Sequence, residues 1–236
     1  MFLLGATLAL GFALSAYIVA QALVKISQKN HIFVKGSALQ LVASDYGIWS
    51  GSFSTSNAVL ADAYAKLAAD QKQVEEFLKK AGFTAQEIAF ESIEMQENMQ
   101  RDAKGNLTRV VQDYSLTQRV VVSSEKVELL DKLSRDFTSL IQSGVLSRSN
   151  GANFIIRDLD KYKMQLLSEA TKNGRDRAET LAANSGGQVG GLISASQGVF
   201  QITAPASGAM SSYGVYDKTT IMKEIKAVVT LEFRVQ

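Results

Sequence analysis

Residues 169–192 read EATKNGRDRAETLAANSGGQVGGL, and this stretch decides the fold. Ala170, Gly174, Ala178, Ala182 and Gly186 recur at every fourth position, with Leu181 beside the row. Residues four apart lie one above another on an α-helix, so the row is a helix-packing ridge of small side chains. Such a ridge lets a helix approach a sheet or a second helix closely, and it carries no reactive group. The glycines that follow, Gly186-Gly187-Gln188-Val189-Gly190-Gly191, stop the helix and turn the chain into a strand. A dinucleotide loop needs the opposite order, in which a strand leads through glycines to a helix N-terminus that meets the phosphate. Here the glycines meet the negative end of a helix dipole, which repels anions. The phosphate-binding reading fails, and no cofactor is expected.

Working outward, the chain alternates strands and helices in an α+β pattern. His31–Ser44 and Tyr46–Ser56 carry β-branched and aromatic residues in partial alternation, which predicts two antiparallel strands joined at Asp45. Ser56 or Asn57 caps a helix that ends at Gly82, with Ala58, Ala61, Tyr64, Ala65, Leu67, Ala68, Val74, Phe77, Leu78 and Ala81 as its packed positions. Glu87–Gln100 and Leu107–Ser123 form a hairpin around the polar loop at 101–106. Glu125–Gln142 is a second helix, with Val127, Leu130, Leu133, Phe137, Leu140 and Ile141 on one face, and Asn153–Leu159 is a short strand. The helix containing the ridge starts at Asp160. Gln188–Thr203 and Thr220–Val235 close the sheet, and between them Ala204–Thr219 is a long loop, expected to be mobile. The predicted class is α+β, with antiparallel sheets packed against three helices and one transmembrane helix in front. The two halves share a strand–helix–strand rhythm, but no residue-level repeat accompanies it, and one domain over 32–236 is the simpler reading.

That leading helix is read from charge. No charged residue lies between Phe2 and Val24. As a helix this run spans roughly 35 Å, against a hydrocarbon core of roughly 30 Å. Residues 1–26 are therefore expected to be a membrane anchor, including Phe2, Leu10, Phe12, Ile18 and Val24, with 27–31 as linker. Ala20-Gln21-Ala22 offers a signal-cleavage alternative. The missing basic segment and the length of the apolar run favour an anchor that is retained. Gly5, Ala9 and Ala13, and Gly11 and Ser15, are small residues four apart, a spacing that permits helix self-association in lipid. Lys25, Lys29 and Lys35 follow the run, and the positive-inside tendency taken alone places the rest of the chain in the cytoplasm.

Composition removes several kinds of chemistry. The chain is 46% apolar and 20% charged with net charge +2, a balance that gives no basic surface for nucleic acid. There is no cysteine, and His31 is the single histidine. Thiolate chemistry, a two-histidine metal centre and a Ser-His-Asp triad away from the membrane are therefore excluded. Glu91, Glu94 and Glu97 fall three apart in a predicted strand, where they read as a solvated face. No catalytic or metal residue is expected. Asn106-Leu107-Thr108 has the form of a glycosylation sequon, a triplet that chance supplies often. In the long loop, Tyr213 and Tyr216 are the candidate partner contacts.

Written as A-x3-G-x3-A-x2-L-A-x3-G-x3-G, the stretch from Ala170 to Gly190 resembles the signature of the SIMPL-domain family. Val34-Lys35-Gly36, Ala43-Ser44-Asp45, Ile48-Trp49, Ala81-Gly82-Phe83 and Glu87-Ile88 agree in order and spacing, so that the resemblance covers most of 32–236. Gly174 departs from the alanine usual at its step. The resemblance implies a bacterial envelope protein, anchored in the inner membrane, with its C-terminal domain in the periplasm, against the direction of the lysines. It implies no enzymatic activity, catalytic residues or cofactor, and a loose tie to stress tolerance. It further implies self-assembly into an oligomeric scaffold or cage, with an envelope protein as a further expected partner. The alternative from a different class is a binding module that takes a peptide or small ligand on the 204–219 loop or a sheet edge.

Overall fold

The computed structural model describes residues 2–27 and 30–236, with the side chains of 2–9 and 24–27 outside the description. The fold is α+β. Its described helices are α1 (Phe2–Ser27), α2 (Leu60–Lys80), α3 (Val127–Asp136) and α4 (Leu159–Asn184). The strands are β1 (His31–Ala43), β2 (Tyr46–Asn57), β3 (Ile88–Arg101), β4 (Leu107–Ser124), β5 (Leu146–Ile155), β6 (Val189–Gln197), β7 (Gln201–Thr203), β8 (Val215–Tyr216) and β9 (Met222–Val235). One sheet has the order β3-β4-β2-β5, and the other runs β1-β9-β7-β8 with β6 also paired to β9. The ladders are antiparallel between β2 and β4, β2 and β5, β3 and β4, and β6 and β9, whereas β7 and β8 run parallel.

The chain divides into two compact units, each assembled from separate stretches of sequence. The first comprises residues 1–40, 161–200 and 226–236. Its central strand, β9, alternates strictly, so that Ala227, Val229, Leu231 and Phe233 are buried while Val228, Thr230 and Glu232 are half-exposed. Leu166, Ala170, Gly174, Ala178 and Ala182 form the buried stripe of α4. Two glycines bring that stripe against the sheet. A methyl group on Gly36 of β1 would lie 2.0 Å from the Ala170 carbonyl oxygen and 2.6 Å from the Gly174 nitrogen. One on Gly174 would lie 2.7 Å from Leu231 Cδ1 and 3.3 Å from Gly36 Cα. Helix and strand backbones thus touch with no side chain between them, a separation that requires glycine at Gly36 and is eased by glycine at Gly174. Gly174 serves this contact, where the usual alanine would meet Leu231.

Gly186 does not continue the ridge. It is exposed, and its φ of 82° makes it the left-handed residue that ends α4. The Gly186 N–H donates to the Ala183 carbonyl at 3.2 Å and the Gly187 N–H to the Ala182 carbonyl at 2.9 Å, a Schellman stop.

The second unit comprises residues 41–160 and 201–225. Trp49, Phe53, Leu67, Leu78, Phe137 and Phe154 are the large side chains of its core. Trp49 meets Phe137 edge-on at 4.6 Å, and its indole N–H donates to Ser149 Oγ at 3.0 Å, so the buried indole keeps its hydrogen bond. On α2 the buried row is Ala63, Leu67, Asp70, Val74 and Leu78. This corrects the expected face, because Ala61, Tyr64, Ala65 and Ala68 are exposed. The carboxylate in the row, Asp70, is buried against the ammonium of Lys66 one turn earlier. The cap expected at Ser56 or Asn57 is not formed either: α2 begins at Leu60 behind Val59, with no side-chain bond at the cap, and Asn57 Oδ1 accepts the Val59 N–H at 2.9 Å ahead of it.

Other expectations need correction. The predicted second helix breaks at Phe137 into a 3-10 turn, Phe137–Ser143, which leaves Ile141 exposed. The predicted strand at 153–159 is the longer β5. The closing strand at 188–203 is split into β6 and β7, and the loop at 204–219 contains β8. Finally, among the described residues no helix is long and apolar enough to cross a membrane. The described side chains of α1 run only from Leu10 to Leu23, shorter than the roughly 20 residues a hydrocarbon core requires.

Gly36→Ala should lower stability by about 1–3 kcal/mol through overpacking against backbone, which cannot rotate away. Gly174→Ala should lose less, since the end of Leu231 can move and alanine is favoured over glycine in a helix by about 1 kcal/mol. Urea unfolding monitored by circular dichroism gives the two midpoints, and equal losses would contradict this ranking.

Candidate functional site

Among the described residues no three of His, Cys, Asp and Glu come together around a point that holds a metal ion. His31 lies edge-on to Phe33 at 5.0 Å, with Nε2 4.0 Å from a Glu232 carboxylate oxygen. Glu91, Glu94 and Glu97 are all exposed on β3. A bulge between Phe90 and Ile93 breaks the alternation that would place Glu91 and Glu97 on one face.

The 204–219 segment is tied down at its C-terminal end. Lys223 is the second residue of β9, and the alternation of that strand turns its side chain inward, where it is fully buried. Its ammonium donates to the carbonyls of Asp217 and Thr220, both at 2.7 Å, and lies 3.6 Å from Asp217 Oδ2. Burial lowers the Lys223 pKa, and the neighbouring Asp217 charge works against that shift. For Asp217, burial raises the pKa, but the Thr220 hydroxyl and the N–H groups of Thr219 and Thr220 donate to its carboxylate. The net effect holds Asp217 well below the usual carboxylate range. The Asp217 N–H also donates to the Ile202 carbonyl at 2.8 Å, and Phe154 N–H to the Lys218 carbonyl at 2.7 Å. The loop is therefore braced on β7 and β5.

The two candidate tyrosines part company here. Tyr216 is half-buried in β8, with its hydroxyl 3.5 Å from the Ile156 nitrogen. Tyr213 is 95% exposed, near Met210 at 68%. Of the pair, only Tyr213 offers its ring to a partner.

In the first unit, α4 is flanked by two open grooves. One, of about 510 Å³, lies between β1 and α4 and is lined by Phe33, Lys35, Arg177 and Leu181 among others. The other, of about 550 Å³, has Met164, Leu167, Leu192 and Phe233 for walls and Lys172 and Arg175 at its rim. Arg177 Nη1 donates to the Lys35 carbonyl and the Ser37 N–H donates to Asn173 Oδ1, each at 3.2 Å. β1 ends the sheet order, and residues 35 and 37 point their backbone groups the same way. These two contacts occupy polar groups that an edge strand otherwise offers to a further strand. The grooves can receive an apolar or amphipathic group.

On α1, Leu10, Phe12 and Ile18 are 71%, 75% and 60% exposed. Phe2 and Val24 of the expected anchor lie outside the residues whose side chains are described, as do Gln28 and Lys29 of the expected linker. Sequence reasoning missed Lys223 and Gly36. The alternation Ile225, Ala227, Val229, Leu231 and Phe233, extended one step back, places Lys223 on the inner face, so its signal was present. Gly36 carried no such signal, since its partner Gly174 is 138 residues away (174 − 36 = 138).

Lys223→Ala should release the loop while the hydrophobic core remains intact, so that limited proteolysis cuts within 204–216 several-fold faster than in the parent. Asp217 has a depressed folded pKa, so its contribution is present above the ordinary value of 3.8 and is lost as pH falls through the folded value. Acid should therefore mimic the substitution, with cleavage by an acid-stable protease rising below that pH. Unchanged cleavage in Lys223→Ala would contradict the bracing role.

Comparison with known families agrees with the helix–turn–strand reading. The family described as SIMPL, protein of unknown function (DUF541), matches residues 32–233. No match is found among curated proteins. The matched region contains both units from β1 to β9, including the ridge, both contact glycines and the braced loop. The chain therefore belongs to the SIMPL family.

Proposed function

We propose that this protein is a non-enzymatic protomer of a homo-oligomeric envelope assembly, anchored in the bacterial inner membrane by α1 with its SIMPL region in the periplasm. The observation that carries this reading is the exposure of α1. Leu10, Phe12, Leu14, Tyr17, Ile18, Val19 and Leu23 are each between 56% and 75% exposed. At 100° per residue these positions surround the helix, and a helix apolar all round is stable only inside a protein or a bilayer. Among the described residues of a single chain nothing covers them, and the uncharged run from Phe2 to Val24 is long enough for lipid to do so. The family resemblance supports the periplasmic side and the assembly. A link to stress tolerance belongs to the same reading.

A second reading, capture of a peptide or small ligand, is favoured by Tyr213 alone. It ranks lower because the C-terminal end of its loop is braced. A monomeric particle would favour it over the assembly.

The anchor is tested by alkaline carbonate extraction of membranes carrying the full-length chain. The parent should stay with the bilayer. Phe12→Asp with Ile18→Lys places two charges near the middle of the span, at about 2.5–3.5 kcal/mol each, and should move the protein to the soluble fraction. Release of the parent itself would sink the anchor.

A further inference from the structure

The face of β9 turned away from α4 carries a charge order that is its own complement. Leu231 meets α4 at Gly174, so the odd-numbered residues of β9 face the helix and the even-numbered ones face outward. In sequence the outward residues are Glu224, Lys226, Val228, Thr230, Glu232 and Arg234. Reversed end to end about Val229, the order places Glu224 opposite Arg234, Lys226 opposite Glu232 and Val228 opposite Thr230. Every charge meets its opposite, and the neutral pair falls at the centre. Among the described residues neither Lys226 nor Arg234 has a carboxylate partner, and Glu232 has only His31 at 4.0 Å. On the neighbouring β1, Phe33 is 60% and Leu39 52% exposed. These odd-numbered residues lie opposite in parity to Gly36, which faces α4, so Leu39 points away from the helix, while Phe33 also borders the groove between β1 and α4.

We propose that this face is a two-fold interface with a second copy of the same chain, β9 lying antiparallel over its partner's β9. The proposal rests on the oligomeric reading above and names the surface that serves it. An isologous contact requires a patch complementary to itself under a two-fold rotation, and an antiparallel charge palindrome is that property written along a strand. Geometry ranks the pairs. Lys226 and Glu232 lie three residues either side of Val229, about 10 Å from the axis at roughly 3.4 Å per residue. Packed sheets cross at about 30°, which shifts facing residues by several ångström at that radius, within reach of lysine and glutamate side chains. Glu224 and Arg234 lie farther out, are displaced more, and form the solvated rim. Val228 and Thr230, with Leu39 alongside, supply the neutral and apolar centre. The occupant is a second copy because an unrelated partner has no reason to make the order symmetric.

The test uses full-length protein in detergent and reads the dissociation constant by analytical ultracentrifugation. Lys226→Glu alone and Glu232→Lys alone each put like charges opposite one another twice, once per symmetry-related pair. Each should weaken self-association by roughly a hundredfold, counting about tenfold per pair. The exchanged variant, K226E with E232K, should restore it, and mixing the two single variants should give heterodimers tighter than either alone. Because these side chains are half-exposed, circular dichroism should find every variant folded. Should one fail to fold, the same exchange at Glu224 and Arg234 repeats the experiment with smaller shifts. Self-association unchanged in both single variants overturns the interface and leaves the oligomer standing, with the face bare or covered by another partner. Weakening that neither the exchange nor the mixture restores also overturns it. A parent that never self-associates overturns both readings.

Discussion

In the first unit the packing of α4 on the sheet turns on one close approach, Gly36 of β1 against Gly174 of α4. With no side chain between the backbones, the helix sits low on the sheet, and its alanine row is buried without a large residue to fill the gap. The approach fixes which way β9 faces: Leu231 turns toward the helix, so Lys226, Val228, Thr230 and Glu232 turn away. It also brings Asn173 and Arg177 to the edge of β1, where they meet Ser37 and Lys35. A low-lying helix thus sets both the outward face of the sheet and the cover on its edge.

The second unit is held differently, by large aromatic side chains and by two ion pairs that each have one buried charge. Trp49 and Phe137 fill its centre. Asp70 with Lys66, and Lys223 with Asp217, place charge where a strand or helix pattern calls for an apolar residue. Pairs of this kind contribute little net stability relative to apolar replacements, but removing one partner leaves an uncompensated charge. Their consequence here is positional, since Lys223 holds the end of the 204–219 loop and leaves Tyr213 outward.

Much of the architecture was readable from the residues, and the failures have physical causes. The α4 stripe and its glycine stop follow from local spacing, and they read correctly except at Gly186, where one residue was assigned two roles. The α2 face was misread because alanine is apolar enough to count as core and small enough to sit in solvent, while Asp70 looked like surface. β5 was read short because Leu-Ser-Arg-Ser-Asn-Gly lacks β-branched residues, and it becomes a strand only by pairing with β2. The 3-10 turn at Phe137 is likewise a tertiary choice that keeps Phe137 and Leu140 buried. At the candidate site, Tyr213 and Tyr216 were indistinguishable in sequence, because only the parallel pairing of β8 with β7 separates them. The charge order on β9 was in plain view, and it became meaningful once the strand's outward face was known.

The proposed anchor, the sheet face and the exposed tyrosine all concern contact with other molecules, and the proposed assembly joins the first two. The most direct test is the mass of the full-length protein in mild detergent, by light scattering with the micelle contribution subtracted. The account predicts a multiple of the 25.6 kDa chain mass, stable on dilution well below micromolar concentration. A particle of a single chain mass at every concentration would contradict it.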